Sequence, residues 1–177
     1  TSIGEKAFEG CSALTAAELS GTKITAVPDY AFNQCASLTT VSLPEGLTSI
    51  GLLAFGECSN LASVNLPSTL TSIGGSAFYR CSALTEITIP SGVEAIGYRT
   101  FESCSSLSKV TLSEGLKSIG QNAFYSCTSL SEITIPSTVT SIEQDAFGSC
   151  SALQRLTVLA EVPPAIVALP NIPYIFV

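Results

Sequence analysis

The residues of this chain whose types could do chemistry are its seven cysteines, Cys11, Cys35, Cys58, Cys81, Cys104, Cys127 and Cys150, set 24 residues apart once and 23 apart five times. A thiolate is a nucleophile, a redox centre and a metal ligand, and each role needs partners at particular spacings. For zinc, no C-x-x-C pair exists, the chain contains no His, and one thiol falls in each repeat interval, so no metal site is expected. As a disulfide framework the count is odd, although residues one repeat apart would lie near the Cα separation a disulfide tolerates once the repeats stack. Without His, a Ser triad of the usual kind cannot form and a Cys nucleophile lacks its usual base. Paired carboxylates of the glycosidase kind are formally available among the 14 acidic residues. Glu86 and Glu132, however, recur at one position two repeats apart, about 10 Å by strand spacing, and repeat register alone accounts for that. The cysteines therefore read as small apolar side chains filling one buried position per repeat. No catalytic residue, no cofactor and no enzymatic activity are expected.

The positions around each cysteine say what must hold it. Phe stands three residues before every one, at Phe8, Phe32, Phe55, Phe78, Phe101, Phe124 and Phe147. Leu stands three residues after, at Leu14, Leu38, Leu61, Leu84, Leu107, Leu130 and Leu153. In one well-formed copy, Ala77 to Pro90, Ile87 and Ile89 alternate with polar residues, which is the period of a half-buried strand, and Pro90 ends it. A second extended piece covers Val93 to Ile96, and the spacing of Phe101 and Cys104 predicts a short helical turn from Gly97 onward. One such coil cannot bury its own apolar side, so coils must stack and align their strands in parallel. The expected fold is a repeat solenoid, mostly parallel β with short helical turns, in about seven coils of 23 residues over residues 1–157, followed by a capping segment at 158–177. Its inward columns are Phe, Cys and Leu, then Val41, Val64, Ile87, Val110 and Ile133, then Leu43, Leu66, Ile89, Leu112 and Ile135. The first complete unit is irregular: Ala17 replaces a branched residue and an extra residue lengthens Ser20 to Ile24. Thr1-Ser2-Ile3-Gly4 falls in mid-repeat, which points to a fragment of a longer protein.

Composition narrows the function. The chain has 177 residues, 46% of them hydrophobic and 12% charged, with 7 basic against 14 acidic residues and a net charge of -7. No basic stripe exists to displace counterions, so nucleic acid is not an expected partner, nor is an anionic membrane surface. The most apolar part, Val158 to Val177, is broken by Glu161 and by Pro163, Pro164, Pro170 and Pro173, so no membrane insertion is expected of it.

The outward positions of the first strand are where binding is expected. One column reads Ser63, Glu86, Lys109, Glu132 and Arg155, the other Asn65, Thr88, Thr111, Thr134 and Thr157. Alternating charge and Thr both stabilise a parallel stack, so sheet stability alone could also explain these columns. The helical-turn side, with Tyr30, Tyr79, Tyr98, Tyr125 and Leu52-Leu53, is a second candidate surface.

With these columns in place, the repeat resembles the leucine-rich repeats of the BspA-like bacterial surface protein family, whose unit has the same I-G-x-x-A-F-x-x-C-x-x-L-x-x-V-x-L-P order over Ser2 to Thr157. The resemblance implies a leucine-rich repeat protein, surface-exposed or secreted, with a role in adhesion or recognition. Where the general leucine-rich repeat has Asn after the strand, this chain has Gly46, Thr69, Gly92, Gly115 and Thr138, so no Asn hydrogen-bond ladder is expected. The reading is a non-enzymatic cell-surface or secreted recognition module, its partner a host or microbial surface protein or glycoprotein. The alternatives are a passive stalk or spacer in a longer surface protein, and a glycan-binding module, against which the absence of Trp counts.

Overall fold

The structure, a computed structural model, describes residues 2–159 and 164–167 together with the backbone of residues 174–176. Each repeat supplies two short strands on different sides of the coil. The first strands are β1 (Ala16–Glu18), β3 (Thr40–Ser42), β5 (Ser63–Val64), β7 (Glu86–Ile89), β9 (Lys109–Leu112), β11 (Glu132–Ile135) and β13 (Arg155–Val158). The second strands are β2 (Ala26–Val27), β4 (Ser49–Ile50), β6 (Ser72–Ile73), β8 (Ala95–Ile96), β10 (Ser118–Ile119), β12 (Ser141–Ile142) and β14 (Ala165–Ile166), and β15 (Tyr174–Phe176) returns beside β13. Every ladder is parallel, and those among β1 to β14 are in repeat register, for example Ile87 with Val110 and Ile119 with Ile142, while β15 pairs with β13 at an offset of 18 residues. The chain is a parallel β-solenoid. Of residues 158–177, positions 160–163, 168–173 and 177 lie outside the described residues.

A turn joins the two strands of each coil. Pro44, Pro67, Pro90 and Pro136 end the first strand, and each carbonyl accepts the N–H three residues on, at Leu47, Leu70, Val93 and Val139. Gly46 and Gly115 sit in these turns at φ of 102° and 110°, where a side chain would be strained.

The stretch expected to be a helical turn is instead a run of tight turns, because two residues per coil take left-handed φ. In successive coils these are Tyr30 and Gln34, Leu53 and Glu57, Ser76 and Arg80, Arg99 and Ser103, Asn122 and Ser126, Asp145 and Ser149. From Tyr30 to Cys35 the N–H groups alternate. Tyr30, Phe32 and Gln34 donate along the solenoid axis to Leu52, Ala54 and Gly56, while Ala31, Asn33 and Cys35 donate three residues back to Pro28, Tyr30 and Phe32. Half of the donors a helix would use are thus spent on the next coil.

Between the strands the core is a set of ladders. Six successive Phe pairs stack with centroids 5.0 to 5.5 Å apart and ring planes within 13° of parallel. Phe32 through Phe147 are buried beside the Ala, Cys and Leu columns. The inward strand columns are less uniform than expected. Ile87, Ile89, Ile133 and Ile135 are buried, but Leu43, Leu66, Val110 and Leu112 are only partly so.

Hydrogen bonding between coils is not continuous. The first strands form the sheets β1-β3-β5, β7-β9 and β11-β13-β15, and the second strands form β2-β4-β6 and β8-β10-β12-β14. The half-exposed Val110 and Leu112 line the β9/β11 interruption.

Candidate functional site

The first-strand sheets bring the predicted surface residues onto one side. Glu86 stands opposite Lys109 and Thr88 opposite Thr111; Glu132 stands opposite Arg155 and Thr134 opposite Thr157. Strand alternation forces this, since the side chains between them, such as Ile87 and Ile133, point into the core. The charged column pairs along the axis. Lys109 Nζ lies 3.7 Å from a Glu86 carboxylate oxygen, and Arg155 lies 3.5 Å from Glu132. All four side chains are well exposed, so each pair contributes at most about 1 kcal/mol and is easily given up to a partner.

Two grooves open on this face where its ladders lapse. One of 370 Å³ runs between β9 and β11, with Lys109, Thr111, Glu132, Thr134, Arg155 and Thr157 along its walls and Val110, Leu112 and Ile133 beneath. The other, of 150 Å³, lies between β5 and β7 and is lined by Ser63, Asn65, Glu86 and Thr88 together with Val64, Leu66 and Ile87. All ten strand-face residues singled out in the sequence therefore line one groove or the other.

The turn side carries the tyrosines. Tyr98 and Leu52 are exposed, and Tyr30, Tyr79 and Tyr125 are half-buried. Three cations lie over these rings: Lys6 over Tyr30 at 5.1 Å, Arg80 over Tyr79 at 5.0 Å and Arg99 over Tyr98 at 4.8 Å. A shallow groove of 640 Å³ crosses several coils nearby, lined by Gln34, Glu57, Arg80 and a row of hydroxyls from Ser59 to Thr128. Those hydroxyls are already engaged: Ser59, Ser82, Ser105 and Thr128 each donate to a carbonyl one coil away.

The thiols form a ladder that the sequence did not reveal. Cys35, Cys58, Cys81, Cys104, Cys127 and Cys150 each point Sγ at the carbonyl of the Phe in the preceding coil, at 3.1 to 3.3 Å. Burial, reinforced by the neighbouring thiols, pushes Cys58 up to about 12 and holds Cys81, Cys104 and Cys127 well above the ordinary thiol range. Burial raises Cys150 to about 11 and raises Cys35 as well. A thiol that stays protonated is a poor nucleophile and a poor ligand. The post-strand positions contribute too: Thr69 and Thr138 donate to Leu47 and Leu116 and accept from the Gly46 and Gly115 N–H groups. Hydroxyls and thiols thus bridge the coils of a repeat that has no Asn column.

A parallel solenoid of 23-residue coils with Phe, Cys and Leu ladders defines a leucine-rich repeat protein. The chain belongs to the BspA type leucine-rich repeat family, which matches residues 1–105 and 52–163 in six copies. Among solved structures it is similar to a leucine-rich repeat protein from Bacteroides ovatus, with 29% identity and a TM-score of 0.83 over 98% of this chain. It spans 48% of that protein's length. A leucine-rich repeat protein from Eubacterium ventriosum shares 28% identity at a TM-score of 0.56, covering 78% of this chain and 43% of its own. One from T. pallidum shares 27% at 0.53, covering 71% and 69% respectively. No curated protein sequence matches this chain.

Proposed function

We propose that this chain is a non-enzymatic recognition module of a cell-surface or secreted protein, and that it binds a surface protein or glycoprotein through its first-strand face. The observation that carries this reading is the coincidence of ten outward strand residues with two grooves at lapses in the sheet. A repeat array presenting exchangeable ion pairs and Thr hydroxyls over a partly apolar floor offers a partner both buried area and directional contacts. Family membership supports a surface setting and leaves the ligand open. The test is binding to an immobilised panel of matrix glycoproteins, bacterial surface components and polysaccharides at physiological salt under reducing conditions. Changing Glu86, Lys109, Glu132 and Arg155 together to Ala is expected to abolish a saturable signal while the circular dichroism spectrum is retained. Unchanged affinity would remove the strand face from the proposal.

A spacer role is favoured by one observation: the strand-face charges satisfy one another along the axis and need no partner. Silence across the whole panel would support it.

A further inference from the structure

Strand pairing lapses on both strand sides at the same coil boundary, where, among the described residues, a single backbone bond, Thr85 N–H to the Ala62 carbonyl, remains at the foot of β7. Between the coil of β5 and β6 and the coil of β7 and β8, neither strand pair forms a ladder. At the preceding boundary Thr71 N and Ser72 N donate to Thr48 O, and Gly74 N to Ile50 O. At the following boundary Lys117 N and Ser118 N donate to Glu94 O, and Gly120 N to Ile96 O. Among the described residues, the equivalent bonds of Glu94, Ala95 and Gly97 to the coil before them are not formed. Grooves mark the boundary on both sides: one of 150 Å³ between β5 and β7, one of 490 Å³ beside Thr71, Ser72, Gly92, Glu94 and Gly97.

The turn side of the same boundary stays closed. Ser76 donates to Tyr98 at 2.8 Å, Phe78 to Thr100 at 2.9 Å and Arg80 to Glu102 at 2.8 Å. Phe78 and Phe101 stack at 5.4 Å, and the Cys104 thiol bonds the Phe78 carbonyl. Gly75 stands beside the open side at a position that the neighbouring coils fill with Leu52, Tyr98 and Gln121, so the backbone there is freer than at its counterparts.

We propose that this boundary is a hinge: the blocks before β7 and from β7 onward rock about the bonded turn side, opening and closing the two strand sides. In a solenoid each coil is held only by its neighbours, so the boundary with fewest bonds sets where the array bends. The β9/β11 boundary lacks this property, because β10 and β12 remain paired there. The hinge divides the strand face, so its two grooves change their relative position as it moves.

The experiment measures distance distributions from dipolar line broadening in continuous-wave electron spin resonance of frozen samples, which reads separations near the roughly 10 Å of two coils, in a Cys11→Ser background with spin labels at exposed sites two coils apart. One pair, Thr71→Cys with Lys117→Cys, crosses the boundary; the other, Glu94→Cys with Thr140→Cys, does not. Dichroism and thermal melting select variants that fold like the parent. A distribution at least twice as broad for the crossing pair is expected. Equal widths would overturn the hinge. So would a broader distribution for the second pair, which spans the β9/β11 lapse alone.

Discussion

At the level of single residues, the cysteine column shows how a reactive group is put to structural use. Its spacing was plain in the sequence, and so was the burial of six of its seven members, Cys11 in the first coil being exposed; the bond each buried thiol makes to a Phe carbonyl was not, because nothing local specifies which neighbouring coil's carbonyl faces the sulfur. The bond and the packing set a cost for removal: Cys104→Ala is expected to destabilise the fold by about 1–2 kcal/mol in urea titration. Reagent access follows burial, so a thiol-reactive disulfide dye should label Cys11 rapidly in the native protein and reach the other six only on unfolding. Stability should also depend on pH in a defined direction. The folded-state values of Cys58 and Cys150 are raised to about 12 and about 11, so the fold retains protons that the unfolded chain releases above the ordinary thiol range. Stability is therefore full below about pH 8.5 and declines as pH rises toward 11, at a slope approaching 1.4 kcal/mol per pH unit for each such thiol. Cys58→Ala should flatten that decline in melts taken between pH 8 and 11.

Among the elements, the strands were legible and the turns were not. Ile87 and Ile89 alternating with Glu86 and Thr88 marked β7, and the same pattern marked β11. The run from Gly97 to Cys104 has the three-residue apolar spacing of a helix, yet Arg99 and Ser103 are left-handed. Their N–H groups reach carbonyls of the next coil, at Gln121 and Tyr125, so an inter-coil bond overrides local preference at a conformational cost of about 1 kcal/mol each. Two glycines separate backbone strain from crowding. At Gly46 a Cβ would meet open space, whereas at Gly115 it would lie 2.5 Å from the Ser91 carbonyl oxygen. Gly46→Ala should cost about 1 kcal/mol in urea unfolding, and Gly115→Ala clearly more, about 2 kcal/mol or above. Equal costs would show that the close approach of Ser91 is relaxed without penalty.

Across the whole molecule, the ladders make stability a nearest-neighbour property and leave the surface columns free to vary. Phe101, buried between Phe78 and Phe124, belongs to no single coil, and Phe101→Ala is expected to cost about 3–5 kcal/mol, readable as a lowered urea midpoint. The candidate face was legible as two outward columns because strand alternation fixes direction. The grooves were not, since they arise where ladders lapse, and Val110 and Leu112 look like any inward pair until β9 and β11 are seen unbonded. The measurement that bears most directly on the functional claim compares two variants against whichever panel member binds. One carries Glu86, Lys109, Glu132 and Arg155 changed to Ala, the other Tyr79 and Tyr98 changed to Ser on the turn side. Kd is expected to rise at least ten-fold for the first and to stay within two-fold of the parent for the second; the reverse pattern would place recognition on the turn side and overturn the strand-face proposal.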